Sequence, residues 1–206
     1  MASEGSDQNE SARAAATSPT PPPRRRAPNG PPLDPDRFSY ELARYGVHHY
    51  SSGRNAARSH LFTAGNEIHH AIEYLLKAVL VRRCGATESD LRRYSHRLPD
   101  MWTAVRDDDL GIYDQTIADL DPFEELRYPE TALRTGLTWN VGWGASTAQQ
   151  QPAGVLPHYR CDLLQIDGLV PALIERCPWN HVTLLPMGAG GQAILVDNAH
   201  AARWQP

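Results

Sequence analysis

The sequence predicts a mostly α-helical chain: an up-and-down bundle of four to six helices with short strand-like insertions. Three observations carry that reading. Apolar residues recur at helical spacing on both sides of Gly65, the same stripe returns between Leu156 and Ile174, and alternation of the strand type is confined to Leu137–Trp143. A hydrophobic fraction of 41% with 21% charged residues is ordinary for a globular protein. It leaves enough apolar material for one core of roughly 170 residues once an unfoldable tail is set aside.

That tail is the first element. Residues 1–37 hold eight of the seventeen prolines and no valine, isoleucine or aromatic residue, so they cannot bury enough surface to offset the entropy of ordering. A disordered Pro/Arg-rich segment is expected. Its Pro21–Arg26 run has the composition of a polyproline ligand or basic anchor, but five arginines balanced by five acids fit a solvated tail.

A helical domain is expected from 38 to 178. Phe38, Leu42, Tyr45 and His49 step at four, three and four, with Ala57, Leu61 and Ala64 continuing the face. Gly46 and Gly53 make a break near His49–Gly53 one reading and a single long helix the other. Gly65 is expected to close this segment and Asn66 to cap the next helix, which carries Ile68, Ile72, Leu75, Leu76, Val79 and Leu80 on one wide face and stops at Gly85. Thr87–Arg93 reads as a polar link. Leu98, Trp102 and Val105 form a further helix, Leu110–Leu120 another, and Pro122 forces a restart before Phe123 and Leu126. Leu163–Ile174 is helical, with Gly168 and Pro171 as bends. Residues 179–206 read as an irregular extension, with a hairpin through Val182–Leu185 and Ala193–Val196 as one arrangement.

Charge and cysteine usage narrow the setting. A net charge of −4 argues against a chain that coats nucleic acid electrostatically, so any such contact needs a local patch. The three cysteines, Cys84, Cys161 and Cys177, are odd in number and far apart, which fits reduced thiols in a cytoplasmic protein. The apolar run Ala71–Val81 is interrupted by Glu73 and Lys77 and is too short for a membrane span.

Two helical motifs resemble the HEPN superfamily of prokaryotic toxin, antitoxin and phage-defence systems. Ala56-Ala57-x-x-x-Leu61-Phe62-x-x-Gly65 is followed by His70-Ala71-Ile72-Glu73-Tyr74-Leu75-Leu76-Lys77-Ala78, similar to the family's Ala-x-x-Glu-x-x-Leu-Lys-Ala signature. Ser95-His96-Arg97-Leu98 is similar to the His-x-Leu that opens its third helix. The resemblance covers about 38–176. It implies a helical homodimer that binds a nucleotide, RNA or a neighbouring-gene protein, with Glu73, Lys77 and His96 as its motif residues. The plain alternative for Glu73 and Lys77 is a surface salt bridge, and for His96 a helix-start residue bonded to backbone.

Catalytic members place an arginine four to six residues before a histidine on a late helix and cleave RNA without metal. Arg44/His49, Arg54/His60 and Arg176/His181 have that spacing, but nineteen arginines and nine histidines yield about 2.5 such pairs by chance. Arg176/His181 lies late enough but straddles Pro178; Arg54/His60 has a polar neighbour but lies in an early helix. The expected function is therefore a non-catalytic HEPN-like module in a defence or regulatory system. A metal-independent RNA endonuclease is the enzymatic alternative, and a structural interaction protein the third. No cofactor or metal is expected. Glu67-x-x-His70 supplies only half of a di-iron helix pair, Asp107–Asp109 reads as an acidic helix start, and the pairs His48–His49 and His69–His70 read as exposed helix polarity.

Overall fold

The chain folds as a mostly helical protein in which two long antiparallel helices carry most of the architecture. The computed structural model describes residues 34–127, 130, 134, 136–144 and 158–205. Nearly all of the expected disordered tail lies outside these residues. Helix α1 spans Pro35–Arg58 without a break, beginning three residues earlier than the expected boundary because Asp34 caps it and accepts from the Asp36 and Arg37 amides. Helix α2 spans Ala64–Cys84 and ends where Gly85 adopts a left-handed φ of 65°.

The glycines that suggested a break in α1 serve its packing instead. A Cβ at Gly46 would lie 2.8 Å from Leu75 Cγ and 3.0 Å from the Ala71 carbonyl, and one at Gly53 would lie 2.5 Å from Ile68 Cδ1. The two helices approach closely at these points, which offsets the helix cost of glycine. Together with the bond from Ser39 Oγ to the Ala78 carbonyl at 3.0 Å, these contacts run up one helix and down the other. Gly65 does not close the first segment. It lies in the first turn of α2, where Phe123 covers it so tightly that a Cβ would sit 1.8 Å from Cε1.

Thr87–Arg93 is not a link but opens helix α3, Glu88–Tyr94, on a capping box between Thr87 and Asp90. Helix α4 covers Leu98–Val105. A 3₁₀ helix over Asp108–Tyr113 leads into helix α5, Asp114–Leu120, and a second 3₁₀ helix, Asp121–Arg127, follows at Pro122. Asp107 caps the first of these and also pairs with Arg176, in keeping with a local electrostatic role.

The alternating segment forms strand β1, Thr138–Gly142, as its pattern suggests. Its partner β2, His158–Asp162, runs parallel to it, with Thr138 opposite His158 and Gly142 opposite Asp162. These residues read from sequence as part of the returning helical stripe. Helix α6 begins only at Leu163 and runs to Glu175 through Pro171, buried on nearly every side. Beyond it the expected irregular extension is helical, and no hairpin forms. Helix α7, His181–Leu184, helix α8, Ala189–Leu195, and a 3₁₀ turn at Ala201–Trp204 belong to the same compact unit as the preceding helices. Apolar spacing in 182–196 was compatible with either form, and local hydrogen bonding around Asn180 and Gly188 selected short helices.

Arg54 fastens this C-terminal segment. It is fully buried, donates from Nε to the Ala193 carbonyl at 2.8 Å and from Nη2 to the Val196 carbonyl at 2.6 Å, and pairs with Asp167 of α6. These two carbonyls end α8, so one guanidinium serves as its C-cap. Tyr50 donates to the same Asp167 at 2.6 Å and accepts from Asn198 at 3.1 Å. No helix among the described residues is long and apolar enough to cross a membrane.

Candidate functional site

Helix α2 presents residues 69, 70, 73 and 77 on one side because they are three or four positions apart. Glu73 is the centre. Only 4% of its side chain is exposed, and its carboxylate receives Lys77 Nζ at 2.5 Å on Oε1, His70 Nδ1 at 3.3 Å on Oε2 and His96 Nδ1 at 3.0 Å from both oxygens. Burial alone would raise its pKa; the bonds from His70, Lys77 and His96 together outweigh that and hold it well below the usual carboxylate range. Lys77 is the only lysine of the chain. The surface salt bridge proposed for this pair is therefore a largely buried one with two histidines attached.

His96 reaches the carboxylate from the turn between α3 and α4. Ser95 there has a φ of 53°, an uncommon backbone state for a residue with a Cβ, and this turns the chain so that His96 faces α2. It contacts a side chain rather than the backbone. On its other side, His96 Nε2 lies 3.0 Å from Arg127 Nη1, and Arg127 in turn donates to Glu124 Oε1 at 3.0 Å. Glu124 Oε2 faces His69 Nε2 across 3.7 Å. The side chains thus close a ring over His69, His70, Glu73, His96, Arg127 and Glu124. Beside it, His49 bonds Glu67 at 2.9 Å and stacks on Tyr74 with ring centres 5.4 Å apart.

His69 is wholly buried, contrary to its expected exposure, because its ring lies under the 121–127 turn and bonds the Leu120 carbonyl at 3.0 Å. Burial lowers its pKa, so the neutral imidazole is favoured. One ligand atom from each of His69, His70 and Glu73 lies within 4.8 Å of the others, a juxtaposition of metal-binding residue types where the sequence suggested only exposed polarity at His69–His70.

An open groove of about 350 Å³ adjoins the ring, lined by Phe38, Leu42, Tyr74 and Leu91 together with Lys77, Arg92 and His96. Comparison with family models, with curated proteins and with solved structures finds no match to this chain. Three residues singled out from the sequence, Glu73, Lys77 and His96, converge in space.

The arginine–histidine candidates do not converge in this way. Arg54 is sealed inside the protein, while His60 stands exposed past the end of α1 with a φ of 52°. Arg176 closes α6 and is held by Asp107 at 2.8 Å, whereas His181 opens α7, packs edge-on against Trp204 and lies 3.4 Å from the Pro171 carbonyl. Arg44 bonds Glu41 and His49 bonds Glu67. The arginine and histidine that meet, Arg127 and His96, are 31 positions apart, which no short-spacing motif would find. His70 had a legible signal in its spacing from Glu73. Glu124 and Arg127 had none, because a restart at Pro122 hides which way a short 3₁₀ turn faces.

Proposed function

We propose that the chain is a non-catalytic HEPN-like binding module of a prokaryotic defence or regulatory system, and that it takes a nucleotide in the groove beside Glu73. The observation that supports this is the groove's mixed lining. Phe38, Tyr74 and Leu91 offer apolar and aromatic surface for a base, and Lys77 and Arg92 offer donors for phosphate. Its volume, about 350 Å³, falls at the small end of ordinary ligand sites. Among the described residues Arg92 is engaged only by Glu88, in a pair exposed by 62% and 55%. Such a pair contributes little, so a phosphate can replace the carboxylate cheaply.

Isothermal titration of the purified chain with adenine and guanine nucleotides tests the reading. Saturable binding weakened at least tenfold by both Lys77→Ala and Tyr74→Ala is expected. No heat with any nucleotide, or binding indifferent to both changes, refutes it.

A second reading, metal-independent RNA cleavage, is favoured by the approach of Arg127 to His96 at 3.0 Å on the same side of the molecule. General acid–base chemistry by a histidine beside an arginine that steadies phosphate charge needs such a pair. Cleavage of RNA in excess chelator that disappears in both His96→Ala and Arg127→Ala would replace the binding module by this enzyme.

A further inference from the structure

We infer that His69, His70, Glu73 and Glu124 form a binding site for a first-row divalent transition-metal cation. The deciding feature is a pair of buried, unpartnered atoms that face each other. The His69 side chain is 0% exposed, and its Nδ1 lies 3.0 Å from the Leu120 carbonyl. A carbonyl only accepts, so Nδ1 carries the proton and the ring's coordinating lone pair belongs to Nε2. Nε2 stands 3.7 Å from Glu124 Oε2, beyond hydrogen-bond reach, and neither atom has a hydrogen-bond partner among the described residues. Leaving both without a partner is costly.

A shared cation answers both atoms at once. Two ligand atoms 3.7 Å apart can each lie about 2.1 Å from one ion with an angle of about 120° between them, open enough for a four-coordinate site. His70 and Glu73 stand on the same side, with one ligand atom from each of His69, His70 and Glu73 within 4.8 Å of the others. Glu124 joins this group through His69, and the side chains must close to ligand separations of about 3.4 Å to share one four-coordinate ion.

The surrounding cations leave this geometry open. Lys77 holds Oε1 of Glu73, and Oε2 faces His70; Arg127 holds Oε1 of Glu124, and Oε2 faces His69. Glu124 thus keeps Oε2 turned toward His69, while Oε2 of Glu73 is shared by His70 and His96. His96, 3.0 Å from both oxygens of Glu73, steadies that carboxylate from the open side. The bond from His69 to a backbone carbonyl is the usual outer arrangement of a metal-binding imidazole. Two imidazoles with two carboxylates suit Zn²⁺, Mn²⁺ or Fe²⁺ better than Mg²⁺ or Ca²⁺, which favour all-oxygen sets.

Zn²⁺ and Co²⁺ are the probes. The full chain, stripped with chelator, is dialysed against each metal, its content is measured by mass spectrometry, and the visible absorption of the Co²⁺ form is recorded. One equivalent of Zn²⁺, and a Co²⁺ spectrum of the four-coordinate type, are expected. His70→Ala and the isosteric Glu124→Gln should each weaken binding by more than the about 10–100-fold that loss of an outer partner costs, while His60→Ala leaves it unchanged. Circular dichroism checks folding, and Glu124→Gln decides if His70→Ala unfolds. No uptake of either metal by the unaltered chain, or uptake that survives in both variants, overturns the site.

Discussion

Glu73 and His69 set the acid limit of this fold at the residue scale. In the metal-free protein burial depresses the His69 pKa from its ordinary 6.5, so the unfolded chain binds a proton that the folded chain resists. The stability this supplies is complete above pH 6.5 and drains as the pH falls below it. Glu73, depressed from 4.5 despite its burial, adds a second loss below pH 4.5. Urea midpoints between pH 7.5 and 4 should therefore fall in two stages, and His69→Gln should flatten the first; a profile level from 7.5 to 5 would contradict the burial of this ring. Arg54→Ala leaves Asp167 as an uncompensated buried charge and strips two helix-end carbonyls of their donor. It should cost about 3–5 kcal/mol, read by chemical denaturation, and a cost below about 1 kcal/mol would show that water reaches the pair. Nothing in the local pattern of Gly53-Arg54-Asn55 distinguishes this arginine from its exposed counterparts, since its partners lie 113 to 142 positions away.

Elements with a long apolar stripe were legible; short ones were decided by single caps. The face of α2 was readable from Ile68 to Leu80 because six apolar residues outvote the polar ones, and Leu75 and Leu76 are both buried as that pattern requires. Leu75→Ala should cost about 2–5 kcal/mol through lost burial and a residual cavity, measurable as a shift in the denaturation midpoint. Gly46→Val forces the α1 backbone away from Leu75 and should cost about 1–3 kcal/mol, whereas a flexible contact would leave the midpoint unmoved. In α3 the signal was present at Thr87 and Asp90 but outweighed by polar composition, and β2 was hidden because a buried strand next to a buried helix shows no change of period at Asp162. The groove was legible in part: Lys77 and His96 were singled out, while Phe38, Leu91 and Arg92 come to line it only in the folded chain.

At the scale of the whole molecule, the mostly helical class followed from summed periodicity, but the boundaries of the folded unit did not. Chain statistics ended the tail at Arg37, where the cap at Asp34 begins the helix. A chain starting at Asp34 should keep its thermal midpoint, and one starting at Asp36 should lose about 0.5–2 kcal/mol with its cap; equal midpoints would show the cap to be idle. The far end is less dispensable than its composition suggests, because Trp204 is buried and stacks on Tyr50 at 6.1 Å. A ribosome adds Ala193 139 residues after Arg54, so at about 5–20 residues per second the guanidinium waits about 7–28 s for its first carbonyl. Throughout that interval the nascent chain can assemble α1 and α2 but must hold a charged side chain against an unfinished interior. Completion of the core is thus deferred until Ala193 and Val196 have been added, which makes the partly synthesised polypeptide, more than the folded one, the form with an exposed interior.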